Sequence, residues 1–243
     1  MIFVGQGSLL RRAVVHAAGA GHRIDLVCSP DPADAAADGP PLRYLTTPDV
    51  NAHVRDLATT CTDGIVWSVN NRQIFREPVL SSGLRIVNVH NGLLPQHRGL
   101  PSAAIVFALL HGDREYGATV HEVDVGIDTG EVLAEYRFPL GPEDRFHQVM
   151  LRGVRACEAL FERALPLVAA GSTAPVRRPP GTSSPGAYYG RAALDRLAEH
   201  AGHPAFARAT DLGAFNAHAP ELAAALRRVR AVTNGGGAGL PLH

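Results

Sequence analysis

The stretch Leu84-Arg-Ile-Val-Asn88-Val-His90-Asn-Gly-Leu-Leu-Pro95-Gln-His97-Arg98-Gly99 decides the fold. A short apolar run from Leu84 to Val89 ends in polar residues and then in a turn marked by Gly and Pro, as a buried strand of a parallel sheet finishes. Residues two apart on a strand share a face, so Asn88 and His90 should point the same way at its carboxyl end. Open α/β sheets bind ligands outside the carboxyl ends of their strands, which makes this end a candidate site on pattern alone.

Working outward toward the N-terminus, Ile2 to Val4 reads as a short buried strand and Ser8 to Ala20 as a helix with Ser8 as candidate N-cap. Arg23 to Cys28 reads as the next strand, giving a βαβ opening. The Pro/Asp/Ala-rich Ser29 to Pro41 is a loop, Pro48 to Thr60 is helical, Gly64 to Ser68 is a buried strand, and Arg76 to Ser81 is a short helix. Toward the C-terminus, Leu100 to His111 is an apolar helix closed by Gly112. Two strands, Gly117 to Val123 and Glu131 to Phe138, then flank a Gly-bounded turn holding Asp124 and Asp128. Glu143 to Ala170 is a long helical stretch that Pro166 should kink or end.

Strands alternating with helices predict an α/β fold, an open, mainly parallel, Rossmann-like sheet flanked by helices. We expect one domain over residues 1–175, and a linker with a small, mostly helical C-terminal extension over 176–243. Within the latter part, a Pro/Ser/Thr/Gly-rich linker runs to Gly186, helical patterns cover Arg191 to His200 and Pro220 to Val232, and the glycine-rich end from Asn234 reads as a disordered tail.

Composition removes several function classes. The 243 residues carry no formal net charge and are 46% apolar, so no polyelectrolyte-binding surface is indicated and no nucleic-acid partner is expected. All 23 basic residues are arginine. Without lysine, Schiff-base chemistry, pyridoxal phosphate attachment and a P-loop are impossible. Cys28, Cys61 and Cys157 are far apart, odd in number and form no C-x-x-C pair, which predicts reduced thiols. With no basic leader and no apolar run of spanning length, the reading is a cytoplasmic protein without a membrane partner. Twelve histidines are present, but no H-E-x-x-H or Cys/His cluster accompanies them, so no metal site is expected. Gly5-Gln-Gly7-Ser-Leu-Leu10 follows the first strand like a dinucleotide fingerprint, and Asp31 lies near the spacing of a ribose contact. Leu10 stands where the third glycine belongs, which favours a tight first turn over a nicotinamide site.

Asn88, His90 and Asp128 supply an amide donor, a titratable base and a carboxylate able to orient that base, which is what attack on a carbonyl needs. Singly, each has a plainer reading. Asn88 can end a strand and His90 can be satisfied by a neighbouring backbone group, while Asp124, in the same turn as Asp128, can cap that turn through its side chain.

Three motifs together, Asn88-Val-His90-Asn-Gly-Leu-Leu-Pro95-Gln-His-Arg98-Gly99, Gly117-Ala-Thr-Val-His121 and Asp124-Val-Gly-Ile-Asp128-Thr-Gly130, resemble the signature of the folate-dependent formyltransferases. That family includes the glycinamide ribonucleotide, methionyl-tRNA and sugar N-formyltransferases. The resemblance covers roughly residues 1–175 and rests on order and spacing. It implies formyl transfer from 10-formyltetrahydrofolate, without a metal, to a primary amine of a small molecule. Asn88, His90 and Asp128 would be catalytic, with His97 and His121 in supporting or structural places. Arg72, Ile74, Ile86, Val123 and Asp124 would line the folate side, and Gly7 and Ser8 would be candidate acceptor contacts. Tyr188-Tyr-Gly-Arg191 resembles the aromatic-then-basic segment after the catalytic domain in sugar and tRNA formyltransferases, but the family's next segment is not recognisable. The tail is too short for a tRNA-binding barrel, so an amino sugar nucleotide is the first expectation for the acceptor. An amino-acid, peptidyl or methionyl-tRNA amine, or a non-catalytic folate- or partner-binding protein of the same fold, is the alternative. Apolar faces on the C-terminal helices would permit a homodimer.

Overall fold

A computed structural model describes residues 1–35, 42–176 and 186–235, with backbone alone for 232–235. The chain runs β1 (Ile2–Gly5), α1 (Gly7–Gly19), β2 (Leu26–Ser29), β3 (Tyr44–Thr46), α2 (Val54–Thr60), β4 (Ile65–Val69), α3 (Glu77–Leu80), β5 (Arg85–His90) and β6 (Arg98–Gly99). It continues through α4 (Pro101–His111), β7 (Glu115–Glu122), β8 (Val132–Pro139), α5 (Phe146–Ala169), β9 (Tyr188–Tyr189), α6 (Arg191–Asp195), α7 (Phe206–Ala209) and α8 (Pro220–Gly235). Seven strands form one sheet in the order β3-β2-β1-β4-β5-β7-β8. The first five are parallel, and β7 and β8 add on antiparallel. This is the open, mainly parallel α/β sheet that the sequence pattern predicts.

Every residue of β1, β2 and β4 is buried, which is why these strands read as unbroken apolar runs rather than alternating ones. On one face α1 presents Leu10, Ala13, Val14 and Ala17, and α5 presents a stripe at three- and four-residue spacing through Gly153, Ala156, Cys157, Leu160, Phe161 and Ala164. Trp67 of β4 meets Phe161 edge to face at 4.9 Å in that layer. On the other face, Val50, Leu57, Phe75 and Val79 pack on Ile2, Val4 and Val66. α4 is buried from Ser102 to Leu110 because the C-terminal helices cover its outer side through Leu194, Leu197, Leu222 and Ala225. A helix apolar all round is thereby explained.

Several local expectations are corrected. Ser8 does not cap α1: the helix starts one residue earlier after Gln6, without a side-chain cap from its own N-cap residue, and the carboxylate of Asp34 takes the Gly7 N–H instead. The second strand is shorter than Arg23 to Cys28, beginning at Leu26, because Asp25 bonds Arg23 and the Thr62 N–H. The Pro48 to Thr60 helix is split into a 3-10 turn at Val50–His53, opened by the Asp49 carboxylate on the Asn51 N–H, and then α2. Pro166 does not end α5, which runs on to Ala169. It lies in the last turn, where only one intrahelical donor is lost. β3 and the small β6–β9 sheet are additions that no periodic pattern announced. Arg191 to His200 divides into α6 and a 3-10 turn at Leu197–His200. Parts of the expected loop (36–41), linker (177–185) and tail (236–243) lie outside the described residues. Among the described residues, no helix is long and apolar enough to cross a membrane.

Candidate active site

β5 carries Asn88 and His90 to its carboxyl end, and antiparallel β7 sets His121 opposite Asn88 and Thr119 opposite His90. The turn after β7 returns Asp128 to the same place with φ of +52°, a backbone region that Asp tolerates better than most residues. Its carboxylate is pinned by the Gly99 N–H, 2.8 Å from Oδ2. Gly99 itself has φ of +99°, and a Cβ there would lie 2.7 Å from the Tyr189 carbonyl, so β6 and β9 pair closely only because this residue is glycine.

Four polar side chains converge here. Asn88 Nδ2 lies 3.0 Å from His121 Nε2, and His121 Nδ1 lies 2.7 Å from the Glu122 carbonyl. A ring nitrogen facing a carbonyl must carry the proton, so neutral His121 donates from Nδ1 and accepts the Asn88 amide at Nε2. Among the described residues, nothing takes the second amide hydrogen of Asn88. His90 is buried, with Nε2 2.7 Å from the His97 carbonyl. By the same logic Nε2 is protonated and Nδ1 holds the lone pair, on the side that faces Asp128 Oδ2 at 3.7 Å. Asp128 Oδ1 is 3.5 Å from His121 Nε2.

Burial pushes the His90 pKa down, and the upward pull of Asp128 and the His97 carbonyl does not offset it, so His90 titrates below the ordinary histidine value. Burial would raise Asp128, but the His90 ring, His121 and the Gly99 N–H outweigh it and hold the carboxyl at about 2. Lowered below the ordinary histidine value, His90 is neutral near pH 7, where Asp128 is ionised. The site therefore offers a neutral base beside a fixed carboxylate.

The other residues singled out from the sequence are distributed around this centre. Asp124 accepts from the Gly126 N–H at 3.0 Å and from the Thr129 hydroxyl, so its side chain closes the turn that bears Asp128. Arg72, in the loop after β4, pairs with Glu221 of α8 at 2.7 Å. Ile74 in the same loop is 62% exposed, while Ile86 is buried and Val123 packs against the cluster that contains it. The Gly7 N–H is already bonded to Asp34, so the start of α1 is occupied by an internal carboxylate, and Ser8 is exposed. Sequence reasoning missed the Gly99 N–H on Asp128 and the pairing of His97 with Asp113 at 3.0 Å. Arg98-Gly99 sat inside a quoted motif, but nothing in the spacing announced that its backbone would reach a side chain 29 positions on.

Among the described residues, one trio of metal-ligand side chains approaches within 4.8 Å: Asp25, Cys61 and Asp63, at the amino ends of the parallel strands and away from Asn88. A cavity of about 300 Å³ bounded by Leu109, Asp113, Arg114 and Arg208 touches none of Asn88, His90 and Asp128.

Residues 46–165 match the family model described as formyl transferase. Methionyl-tRNA formyltransferase of Anaeromyxobacter dehalogenans is 34% identical over 123 residues, which are 50% of this chain and 38% of that protein. The chain thus spans well under half the length of that curated relative. Among solved structures, a sugar N-formyltransferase from Shewanella superposes with a TM-score of 0.68 at 19% identity, covering 86% of this chain and 85% of that one. An N-formyltransferase from Helicobacter canadensis, in complex with folinic acid and dTDP-3-aminofucose, superposes with a TM-score of 0.55 at 16% identity, covering 79% of this chain and 71% of that one. At such identities the likeness is one of fold.

Proposed function

We propose that this protein moves the formyl group of 10-formyltetrahydrofolate onto a primary amine of a small molecule. The observation that carries the reading is the meeting of Asn88, His90 and Asp128 at the carboxyl end of β5, with one amide hydrogen and one imidazole lone pair left uncommitted among the described residues. The surroundings fit a flat donor: Ile74 and, in the turn bearing Asp128, Val125 and Ile127 are exposed apolar side chains on the two loops flanking His90. Ile86 and Val123 form the apolar floor beneath them, Asp124 sets the turn, and the 70–74 loop with Arg72 forms the opposite wall. When bound, the formyl donor supplies the electrophilic carbon.

Asn88 donates its free amide hydrogen to the carbonyl oxygen where negative charge develops, a contribution of about 3 to 4 kcal/mol to the barrier. His90 Nδ1 takes the proton released by the attacking amine, and Asp128 stabilises the resulting imidazolium from 3.7 Å; the bond from the formyl carbon to the donor's nitrogen then breaks, and that nitrogen leaves with the proton that His90 returns. These steps are carried by the domain we assign to residues 1–175.

For the acceptor, the best reading is an amino sugar nucleotide. The fold likeness to the Shewanella sugar N-formyltransferase extends over 86% of the chain, whereas the tRNA-specific relative aligns over half of it. The Gly7 N–H at the start of α1 is already taken by Asp34, so the phosphates of such an acceptor would be held elsewhere than at this turn. The test is transfer from 10-formyltetrahydrofolate to sugar-nucleotide, amino-acid, ribonucleotide and methionyl-tRNA amines, read by product mass. Product confined to methionyl-tRNA would overturn the acceptor. A melting-temperature rise with a formyl-folate analogue but no product from any amine would make the protein a binder and not an enzyme.

A further inference from the structure

His97 lies outside the site, yet its main chain holds the one group that fixes which nitrogen of His90 can react. Its ring is buried and constrained on three sides. Nδ1 accepts the Leu93 N–H at 3.2 Å, so the proton is on Nε2, which donates to Asp113 Oδ2 at 3.0 Å. The ring also lies on Tyr116, with centroids 4.5 Å apart and planes tilted by 32°. The His97 N–H closes the loop on the Leu93 carbonyl at 2.8 Å, and Tyr116 ties the same loop through its hydroxyl to the Asn91 carbonyl at 2.9 Å. Seven residues are thereby folded so that the His97 carbonyl meets His90 Nε2 at 2.7 Å. The approach is so close that a Cβ at Gly92 would lie 2.7 Å from His90 Nε2 and 2.8 Å from the His97 oxygen.

We propose that the His97–Asp113 pair is a positioning device for the reaction: by anchoring the 91–97 loop it keeps the His97 carbonyl on His90 Nε2–H, leaving Nδ1 as the only His90 atom able to take the amine's proton. The proposal rests on the catalytic reading of His90 and adds two residues that touch no substrate. An aspartate that orients one histidine through the backbone of another would explain why a buried imidazole at position 97 is bonded at both nitrogens. With the anchor gone, the loop shifts, the tautomer holding the proton at Nδ1 becomes populated, and that form has no lone pair on the acceptor side. A misplacement of about 1 Å in such a group costs about 10²-fold in rate.

The experiment is ¹⁵N histidine NMR of the full chain at pH 7.5 together with steady-state formyl transfer, on wild type, His90→Ala, His97→Phe, Asp113→Ala and Asp113→Asn. His97→Phe keeps the ring on Tyr116 but not the two hydrogen bonds, while Asp113→Ala alters a side chain already one-third exposed and so spares the core. Expected for His97→Phe and Asp113→Ala are a mixed His90 tautomer signal, kcat lower by about 10- to 10²-fold, and KM for the formyl donor within about twofold. Asp113→Asn, which still accepts from Nε2, should recover most of the rate and the single tautomer. A wild-type-like His90 spectrum and kcat in both His97→Phe and Asp113→Ala would overturn the proposal while leaving His90 catalytic. Transfer by His90→Ala at the wild-type rate would instead remove the reading on which it rests.

Discussion

Two strand ends of the same sheet each hold a buried carboxylate bonded to a glycine N–H, and they differ in what is left over. At the end of β1, Asp34 takes the Gly7 N–H at 2.9 Å, the Ser29 hydroxyl at 2.7 Å and the Arg11 guanidinium, and it is fully buried. At the end of β5, Asp128 takes the Gly99 N–H at 2.8 Å and then faces two imidazoles at 3.5 and 3.7 Å, beyond normal hydrogen-bond length. The first carboxylate is saturated and glues a loop to a helix. The second is held in place with capacity in reserve, and unspent polar capacity in a buried place is what a reacting substrate can use.

The largest effect expected is a double dissociation between these ends. His90→Ala and Asn88→Ala should each lower kcat by about 10² to 10⁴ with little change in unfolding free energy, and Asp128→Ala should lower kcat as much while also losing about 2 kcal/mol of stability, because it strands the Gly99 N–H and removes a depressed carboxyl. Asp34→Ala should do the reverse: it strands the Gly7 N–H and the Ser29 hydroxyl and frees a half-exposed Arg11, for about 2 to 4 kcal/mol of lost stability. Its kcat per folded molecule should be unchanged. Urea unfolding beside formyl-transfer kinetics on the four variants checks this, and a folded Asp34→Ala protein without turnover would break the contrast.

A smaller effect, about 2 kcal/mol, belongs to Asp128 and is read by pH. Asp128 titrates at about 2 in the folded chain against 3.8 for the ordinary group. A depressed carboxyl contributes stability that is present above pH 4 and is lost as pH falls toward 2. His90 acts in the same direction, because a buried histidine titrating below 6.5 favours the folded state above that pH and disfavours it as acid charges the ring. Unfolding free energy should therefore fall as pH drops from 7 to 2, and Asp128→Asn should lack most of the fall below pH 4. In the transfer reaction the acid limb of kcat should lie below pH 6.5, with full rate at neutrality. A limb above 7 would mean that His90 is not the base.

How much of this was readable beforehand follows from the range of the interactions concerned. β1, β4 and β5 announce themselves as apolar runs because both faces of a central parallel strand are buried, and Asn88 and His90 share a face by the period of two alone. Tyr44–Thr46 and Tyr188–Tyr189 are too short for any period, and they become strands only because β2 and Arg98–Gly99 are there to pair with them. The closure of Asp34 onto Gly7 spans 27 positions and that of His97 onto Asp113 spans 16, through side chains whose neighbours in sequence give no sign of the partner. The same sequence turn suggested both Asp124 and Asp128. The resemblance already put Asp128 among the catalytic residues, and the fold supplies the physical difference, giving Asp124 to the turn and Asp128 to the histidines.

The smallest expected effect concerns the loop between the two strand ends. β4 lies between β1 and β5, so the loop after it borders both the saturated end and the reactive one. Arg72 in that loop is half exposed and pairs with Glu221 of α8 while also reaching the His218 carbonyl. An ion pair with one solvated partner contributes at most about 1 kcal/mol, so Arg72→Ala should change the unfolding free energy by about 0.5 kcal/mol. Its kinetic signature decides which end the loop serves. If the 70–74 wall holds the formyl donor, releasing the Arg72 tether should raise KM for 10-formyltetrahydrofolate about two- to fivefold and leave kcat near wild type, because the loop binds the donor equally before and during transfer. Ile74→Ala, which removes an exposed apolar side chain without touching the tether, should raise KM similarly. Unchanged KM in both variants would take the loop away from the donor and leave Arg72 as a brace between the sheet and the C-terminal helices.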